Sequence, residues 1–86
     1  MNFSVRLSKR AARELKKLPR DLRARILKKI AELKGFPDVR LDIVPIAGEP
    51  DTYRLRIGDY RVLFVVFWED RIIVVVRVGN RRSVYR

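Results

Sequence analysis

The run YRLRIGDYRVLF, residues 53–64, carries Arg54, Arg56 and Arg61 around a Gly58-Asp59 pair, and the final run GNRRSVYR adds Arg81, Arg82 and Tyr85. A guanidinium is a planar, permanently charged fork that matches two oxygens of a phosphate at once, so arginines held on one surface form an anion site. A tyrosine adds a group able to move a proton where neighbouring cations lower a phenol's usual value of about 10. The chemistry such a set supports is cleavage of RNA by its own 2′-hydroxyl. That reaction needs the non-bridging phosphate oxygens stabilised as charge builds, a proton taken from the hydroxyl and a proton given to the leaving oxygen. These motifs hold no histidine and no carboxylate pair, so the acid–base equipment is thin. An enzyme of this kind depends on another body to position its RNA.

The elements must bring these residues together. A Gly-Asp pair between two β-rich runs reads as a two-residue primed hairpin turn. Ile57 then faces Tyr60, Arg56 faces Arg61, and Arg54 lies on the same face opposite Leu63. Tyr53, Leu55, Ile57, Tyr60, Val62 and Phe64 point to the other face. Arg56 directly across from Arg61 is a pairing that cross-strand energetics disfavours, and the sequence predicts that a bound phosphate compensates. A second two-residue turn at Glu69-Asp70 would place Val78 opposite Arg61. The chain beyond Gly79 would then emerge beside the first hairpin, gathering Arg54, Arg56, Arg61, Arg81 and Tyr85 on one patch. Arg71 and Arg77 read instead as solvated surface charges.

Residues 2–7, NFSVRL, alternate as a short strand. Ser8 offers an N-cap for KRAARELKKL, with Ala11, Leu15 and Leu18 at helical spacing and Pro19 as its stop. In RDLRARILKKIAELK, Leu22, Ile26, Ile30 and Leu33 form one apolar stripe, Asp21 suits the start, lysines suit the end and Gly35 stands as the C-cap. The proline-rich segment 36–51 is a loop with a short strand near 43–47. Strands fill 52–57, 60–68 and 71–79. The order β-α-α-β-β-β-β predicts an α+β fold, a largely antiparallel twisted sheet packed on an N-terminal helical hairpin, in one domain over residues 1–86.

Composition bounds the rest. Twenty-one basic residues against ten acidic give a net charge of +11 on 86 residues. So large a charge on so small a chain predicts a polyanionic partner. All six lysines lie between positions 9 and 34, whereas all eight basic residues from 54 onward are arginine. The helical half is therefore generally cationic and the second half carries the more specific anion site. The chain has no cysteine and no histidine, which removes a disulfide framework, a thiolate site and a conventional zinc site, so no metal and no cofactor is expected. It shows no apolar run of membrane-spanning length and no signal-peptide pattern at its start, which predicts a cytoplasmic protein.

The opening strand, the helical pair SKRAARELKKLPRDLRARILKKI, the hairpin YRLRIGDYRVLF and the ending RVGNRRSVYR together resemble the RelE/ParE toxin superfamily, and most of all its archaeal RelE-type toxins. The resemblance spans essentially the whole chain. It implies the toxin of a type II toxin–antitoxin pair, a ribosome-dependent endoribonuclease that cuts mRNA and is silenced by a small acidic, RelB-like antitoxin. By motif, Arg54 and Arg56 take the places of the basic residues before the turn, Arg61 that of the arginine after it, and Arg81 and Tyr85 those of the tail. The implied roles are phosphate stabilisation by Arg61 and Arg81, RNA binding by Arg54, Arg56 and Arg82, and proton transfer by Tyr85. Asn80 stands where some relatives place histidine or lysine, and the chain ends at Arg86 where some bacterial relatives continue into a further helix. Two other readings share the basic surface: a ParE-like toxin that inhibits DNA gyrase without cutting nucleic acid, and a non-catalytic RNA-binding module. Most aromatic residues alternate onto the core face, which argues against a base-stacking platform.

Overall fold

The computed structural model describes residues 2–84. In chain order the elements are β1 (Ser4–Leu7), α1 (Lys9–Lys16), α2 (Arg20–Ala31), a 3-10 turn (Glu32–Gly35), β2 (Ile43–Pro45), β3 (Thr52–Ile57), β4 (Tyr60–Phe67) and β5 (Ile72–Asn80). The five strands form one sheet in the order β1-β5-β4-β3-β2. Every neighbouring pair is antiparallel except β1 and β5, which run parallel. The expected α+β architecture is the observed one.

Local chemistry sets the helix ends. The Ser8 hydroxyl accepts from the Ala11 N–H at 3.1 Å, the capping bond its position predicts. At the far end of α2 the expectation for Gly35 fails. The helix tightens into the 3-10 turn, Gly35 is its last residue, and a Cβ there would lie 3.1 Å from Val39 Cγ1. The glycine is needed for close approach of the following loop rather than for a left-handed cap. Ala11 and Leu15 of α1, Ile26 and Ile30 of α2 and Leu33 bury against one face of the sheet, where they meet Leu55, Val62, Phe64 and Ile73. Phe64 is fully buried, so truncating it to alanine would cost about 3–5 kcal/mol. At the end of the sheet away from the Gly58 turn, the Phe36 ring packs against the rings of Phe3, Tyr53, Phe64 and Trp68.

The register of β4 against β5 departs from the expected one. From Phe67 opposite Ile72 to Phe64 opposite Val75, β4 and β5 pair as the two-residue turn at Glu69-Asp70 would set them. The pairing then slips by one, so Leu63 faces Arg77, Val62 faces Val78, and Arg61 faces Gly79 rather than Val78. Val76 is the extra residue of a β-bulge. The cause lies in burial. Without the slip, Arg77 would continue the core face begun by Ile73 and Val75; with it, Val78 takes the core position and Arg77 turns to the outer face beside Leu63.

Arg77 is accordingly not a solvated charge. Its Nε lies 3.1 Å from Glu14 Oε2, with the two side chains only 15% and 23% exposed. The same carboxylate accepts from the Val78 N–H at 2.8 Å. Since β1 stops opposite Val75, α1 takes over that edge of β5: the Ser8 hydroxyl donates to the Val76 carbonyl and Glu14 satisfies the next free N–H. Arg71 also departs from the solvated reading, its guanidinium resting 5.6 Å from the centre of the Phe3 ring.

Candidate anion site at the hairpin tip

Gly58 has φ +58°, the left-handed conformation a primed turn requires at its first central residue. The turn sets the predicted register: Ile57 with Tyr60, Arg56 with Arg61, Arg54 with Leu63. The predicted collision of Arg56 with Arg61, however, is relieved within the protein. Arg61 curls back over the turn, its Nη1 donating to the Gly58 carbonyl at 2.8 Å and the Tyr60 carbonyl at 3.0 Å. Arg56 leans the other way, toward Asp42, with Nη1 and Oδ2 4.0 Å apart. The fork of Arg61 is thereby fixed at the hairpin tip by neutral acceptors that leave its charge intact.

The bulge in β5 determines what stands beside it. Because Arg61 faces Gly79, the tail turns away from the sheet next to the hairpin, and the Arg81 N–H donates to the Asp59 carbonyl at 2.9 Å. Gly79 makes room for this. A Cβ there would sit 3.2 Å from Ser83 Oγ and 3.7 Å from Val84 Cβ. Val84 is 1% exposed, an apolar anchor that holds the tail against β5, and Arg77 Nη2 donates to the Ser83 carbonyl. Asn80 organises the turn between these points. Its Oδ1 accepts from the backbone N–H groups of Arg82 and Ser83, each at 3.0 Å, and from the Ser83 hydroxyl at 3.2 Å. This is an Asx turn, in which a short amide side chain replaces backbone acceptors.

Of the six sequence-predicted site residues, the fold brings Arg56, Arg61, Arg81 and Arg82 to one end of the sheet. Asp59, Asn80, Arg81 and Arg82 line an open pocket of about 290 Å³ there. Arg54 lies on the same face two residues back along β3, half-buried between Val44 and Leu63. Tyr85 lies outside the described residues. Among the described residues no group of three acidic, histidine or cysteine side chains could hold a metal ion, and no helix is long and apolar enough to cross a membrane. Asn80 is a residue whose organising role sequence reading missed, although Asn followed by Arg-Arg-Ser is an Asx-turn pattern.

A short helical hairpin laid on a five-stranded, mostly antiparallel sheet, with arginines at one end, defines a small basic α+β domain, and comparison with known proteins gives its family. The sequence model of the ParE toxin family of type II toxin–antitoxin systems matches residues 5–85, and the chain belongs to that family. A Methanocaldococcus jannaschii protein bearing the designation RelE1 is 36% identical over 88 residues, covering 100% of this chain and 98% of its own. The mRNA interferase toxin RelE of Escherichia coli K12 is 31% identical over 83 residues, covering 94% of this chain and 85% of its own. Among solved structures, the RelE–RelB complex of the archaeon Pyrococcus horikoshii OT3 superposes with a TM-score of 0.79 at 30% identity, covering 96% of this chain and 99% of that one.

Proposed function

We propose that this protein is the ribosome-dependent, metal-independent endoribonuclease of a toxin–antitoxin pair, acting in the cytoplasm as a single domain. The observation that carries this reading is that the backbone of the Arg81 turn sits beside the hairpin that bears Arg61, with Arg61 opposite Gly79 and the Arg81 N–H donating to the Asp59 carbonyl. In the reaction the 2′-oxygen attacks the adjacent phosphorus, the bond to the 5′-oxygen breaks, and the products are a 2′,3′-cyclic phosphate and a 5′-hydroxyl. Arg61 and Arg81 stabilise the phosphorane oxygens, Arg54, Arg56 and Arg82 hold and orient the strand, and Tyr85 serves the proton transfers. Donors already in place before charge develops need no reorganisation during the step.

The +11 charge and the outer sheet face support an acidic, RelB-like antitoxin as partner. Val84 covers only part of that face; Leu63, Val65 and Val76 line an open groove of about 690 Å³ beside it. A partner helix with an apolar stripe and acidic flanks fits such a surface. Co-purification from the native host should yield one small acidic protein; recovery only as a free monomer would count against it.

The matching family model carries the name ParE, which keeps a second reading in view, a ParE-like toxin that inhibits DNA gyrase without cutting nucleic acid. Adding the protein to a translating extract and mapping mRNA 5′ ends separates the two. Codon-phased cuts that require ribosomes support the ribonuclease. Blocked supercoiling with intact mRNA supports the gyrase inhibitor. Naked RNA at neutral pH is cut slowly on the ribonuclease reading, because each absent acid or base is worth about 10²- to 10⁴-fold and the ribosome supplies positioning instead.

A further inference from the structure

The helix side of the arginine hairpin holds a second cationic feature, which shares only Arg56 with the residues proposed for cleavage. Arg25, Lys29, Arg40, Asp42, Arg56 and Gly58 line a cleft of about 410 Å³ between α2, the loop before β2 and the hairpin. Four cations face one carboxylate. Arg25 and Lys29 are one helical turn apart and therefore share a face of α2. A Cβ placed on Gly58 would lie 3.9 Å from Arg25 Nη2, while the Gly58 carbonyl accepts from Arg61. The turn is thus flanked by Arg25 on one side and Arg61 on the other, so positive charge runs continuously around the hairpin tip.

The internal partners of this cleft are weak. Lys29 and Glu32 stand 3.8 Å apart and Arg56 and Asp42 4.0 Å apart, all four side chains about half exposed. Such pairs contribute little. Among the described residues Arg25 and Arg40 have no carboxylate within 4.0 Å. Leu41 and Ile57 complete the lining, Ile57 within the core and Leu41 packed against it, and every other side chain there is charged. The more apolar groove lies on another flank of α2, where Val5, Leu7, Leu27 and Ala31 line a separate space of about 420 Å³.

We propose that the Arg25–Lys29–Arg40 cleft is a second binding site for RNA phosphodiester backbone, one that grips phosphates other than the scissile one and so anchors the toxin on its ribonucleoprotein target. The proposal rests on the RNA-cleaving reading for the identity of its polyanion. It predicts a division of labour: the hairpin tip determines the rate of cutting, and the cleft determines affinity and salt dependence.

The test compares the intact chain with the double variant Arg25→Gln/Lys29→Gln, and with Arg40→Gln as an arm outside the helix, after thermal melts confirm that each folds. Each protein is titrated against programmed ribosomes and against a short naked RNA over a series of salt concentrations. Single-turnover cutting is measured at saturating ribosomes. Each lost phosphate contact removes about 0.7 to 0.9 from the log–log salt slope, so the double variant is shallower by about 1.4 to 1.8 and Arg40→Gln by half of that. Ribosome affinity near 0.1 M salt falls about tenfold, with the saturated cutting rate unchanged. A loss confined to ribosomes assigns the backbone to ribosomal RNA, and an equal loss on naked RNA assigns it to the message; either supports the site. Unchanged affinity and slope on both overturn it, as does a slowed saturated rate at unchanged affinity. Weakened binding of polyglutamate with RNA binding intact also overturns it, by marking the cleft as a docking place for acidic protein. If the parental chain leaves ribosomal mRNA uncut while the variants still lose salt-dependent affinity, the ribonuclease reading fails and the cleft stands.

Discussion

Replacing Arg61 with leucine removes two donors from the hairpin tip and one charge from the anion site, and the two losses differ in size. The donors serve the Gly58 carbonyl at 2.8 Å, which is exposed, and the Tyr60 carbonyl at 3.0 Å, which is partly buried. A hydrogen bond of this kind is worth about 0.5–1.5 kcal/mol net, and water replaces the guanidinium at both carbonyls, so the low end applies. Relief of the remaining repulsion from Arg56 across the ladder returns about 0.2–1 kcal/mol. The net change in folding stability is therefore about 0–1 kcal/mol, a fall in Tm of no more than about 4–8 °C for a domain of this size. Loss of one preorganised donor to a developing oxyanion costs about 10²- to 10³-fold in rate, or about 2.7–4 kcal/mol. Cutting should therefore fall much further than stability. Arg61→Lys keeps the charge but not the fork, and should recover folding fully and cutting only in part. Paired thermal melts and single-turnover cutting on ribosomes measure both quantities. A variant that melts more than about 10 °C earlier yet cuts at the parental rate would refute the reasoning and make Arg61 a structural residue.

Asn80→Ala removes the acceptor that three donors share. It should slow cutting at least tenfold while moving Tm by only a few degrees, whereas Asn80→Asp, which keeps Oδ1, should retain most activity; equal loss in both variants would contradict the Asx-turn role. Gly79→Val places a branched side chain where Ser83 Oγ and Val84 Cβ already stand. It should expel the tail, seen as faster proteolysis near the C-terminus together with loss of cutting. Glu14→Ala leaves the Val78 N–H without its side-chain acceptor and removes the ion pair with Arg77. It should destabilise by about 2–3 kcal/mol in denaturant titrations, with cutting per folded molecule unchanged.

The parts of this fold that could be read from sequence are those governed by neighbours in the chain. Ser8 caps α1 because a hydroxyl three residues before a helical N–H can reach it, and Gly58-Asp59 fixes its register because a two-residue turn leaves no choice. The bulge at Val76 was hidden for a physical reason. Ile72, Ile73, Val74, Val75 and Val76 are all β-branched, so the alternation that reports a strand's faces is silent there, and only Arg77 followed by Val78 marks the change. The same slip moved Gly79 opposite Arg61 and so determined where the tail arginines stand. The pairing of Arg56 with Arg61 was legible, whereas the opposite directions the two side chains take were not, because strand register does not specify side-chain rotamers. The Arg25–Lys29–Arg40 cleft was invisible for another reason: it exists only once α2 folds against a loop more than ten residues away.

The central claim is that the arginines of the hairpin and tail assist attack by the 2′-hydroxyl on a phosphate presented by the ribosome. Its most direct test is the end chemistry of the fragments produced when the purified protein is mixed with ribosomes carrying a defined message. The account predicts cuts phased to the codon in the decoding site, with a 2′,3′-cyclic phosphate on one fragment and a 5′-hydroxyl on the other, and only slow cutting when ribosomes are omitted. Fragments ending in 5′-phosphate, cutting as fast on naked RNA as on ribosomes, or a message left intact would contradict it.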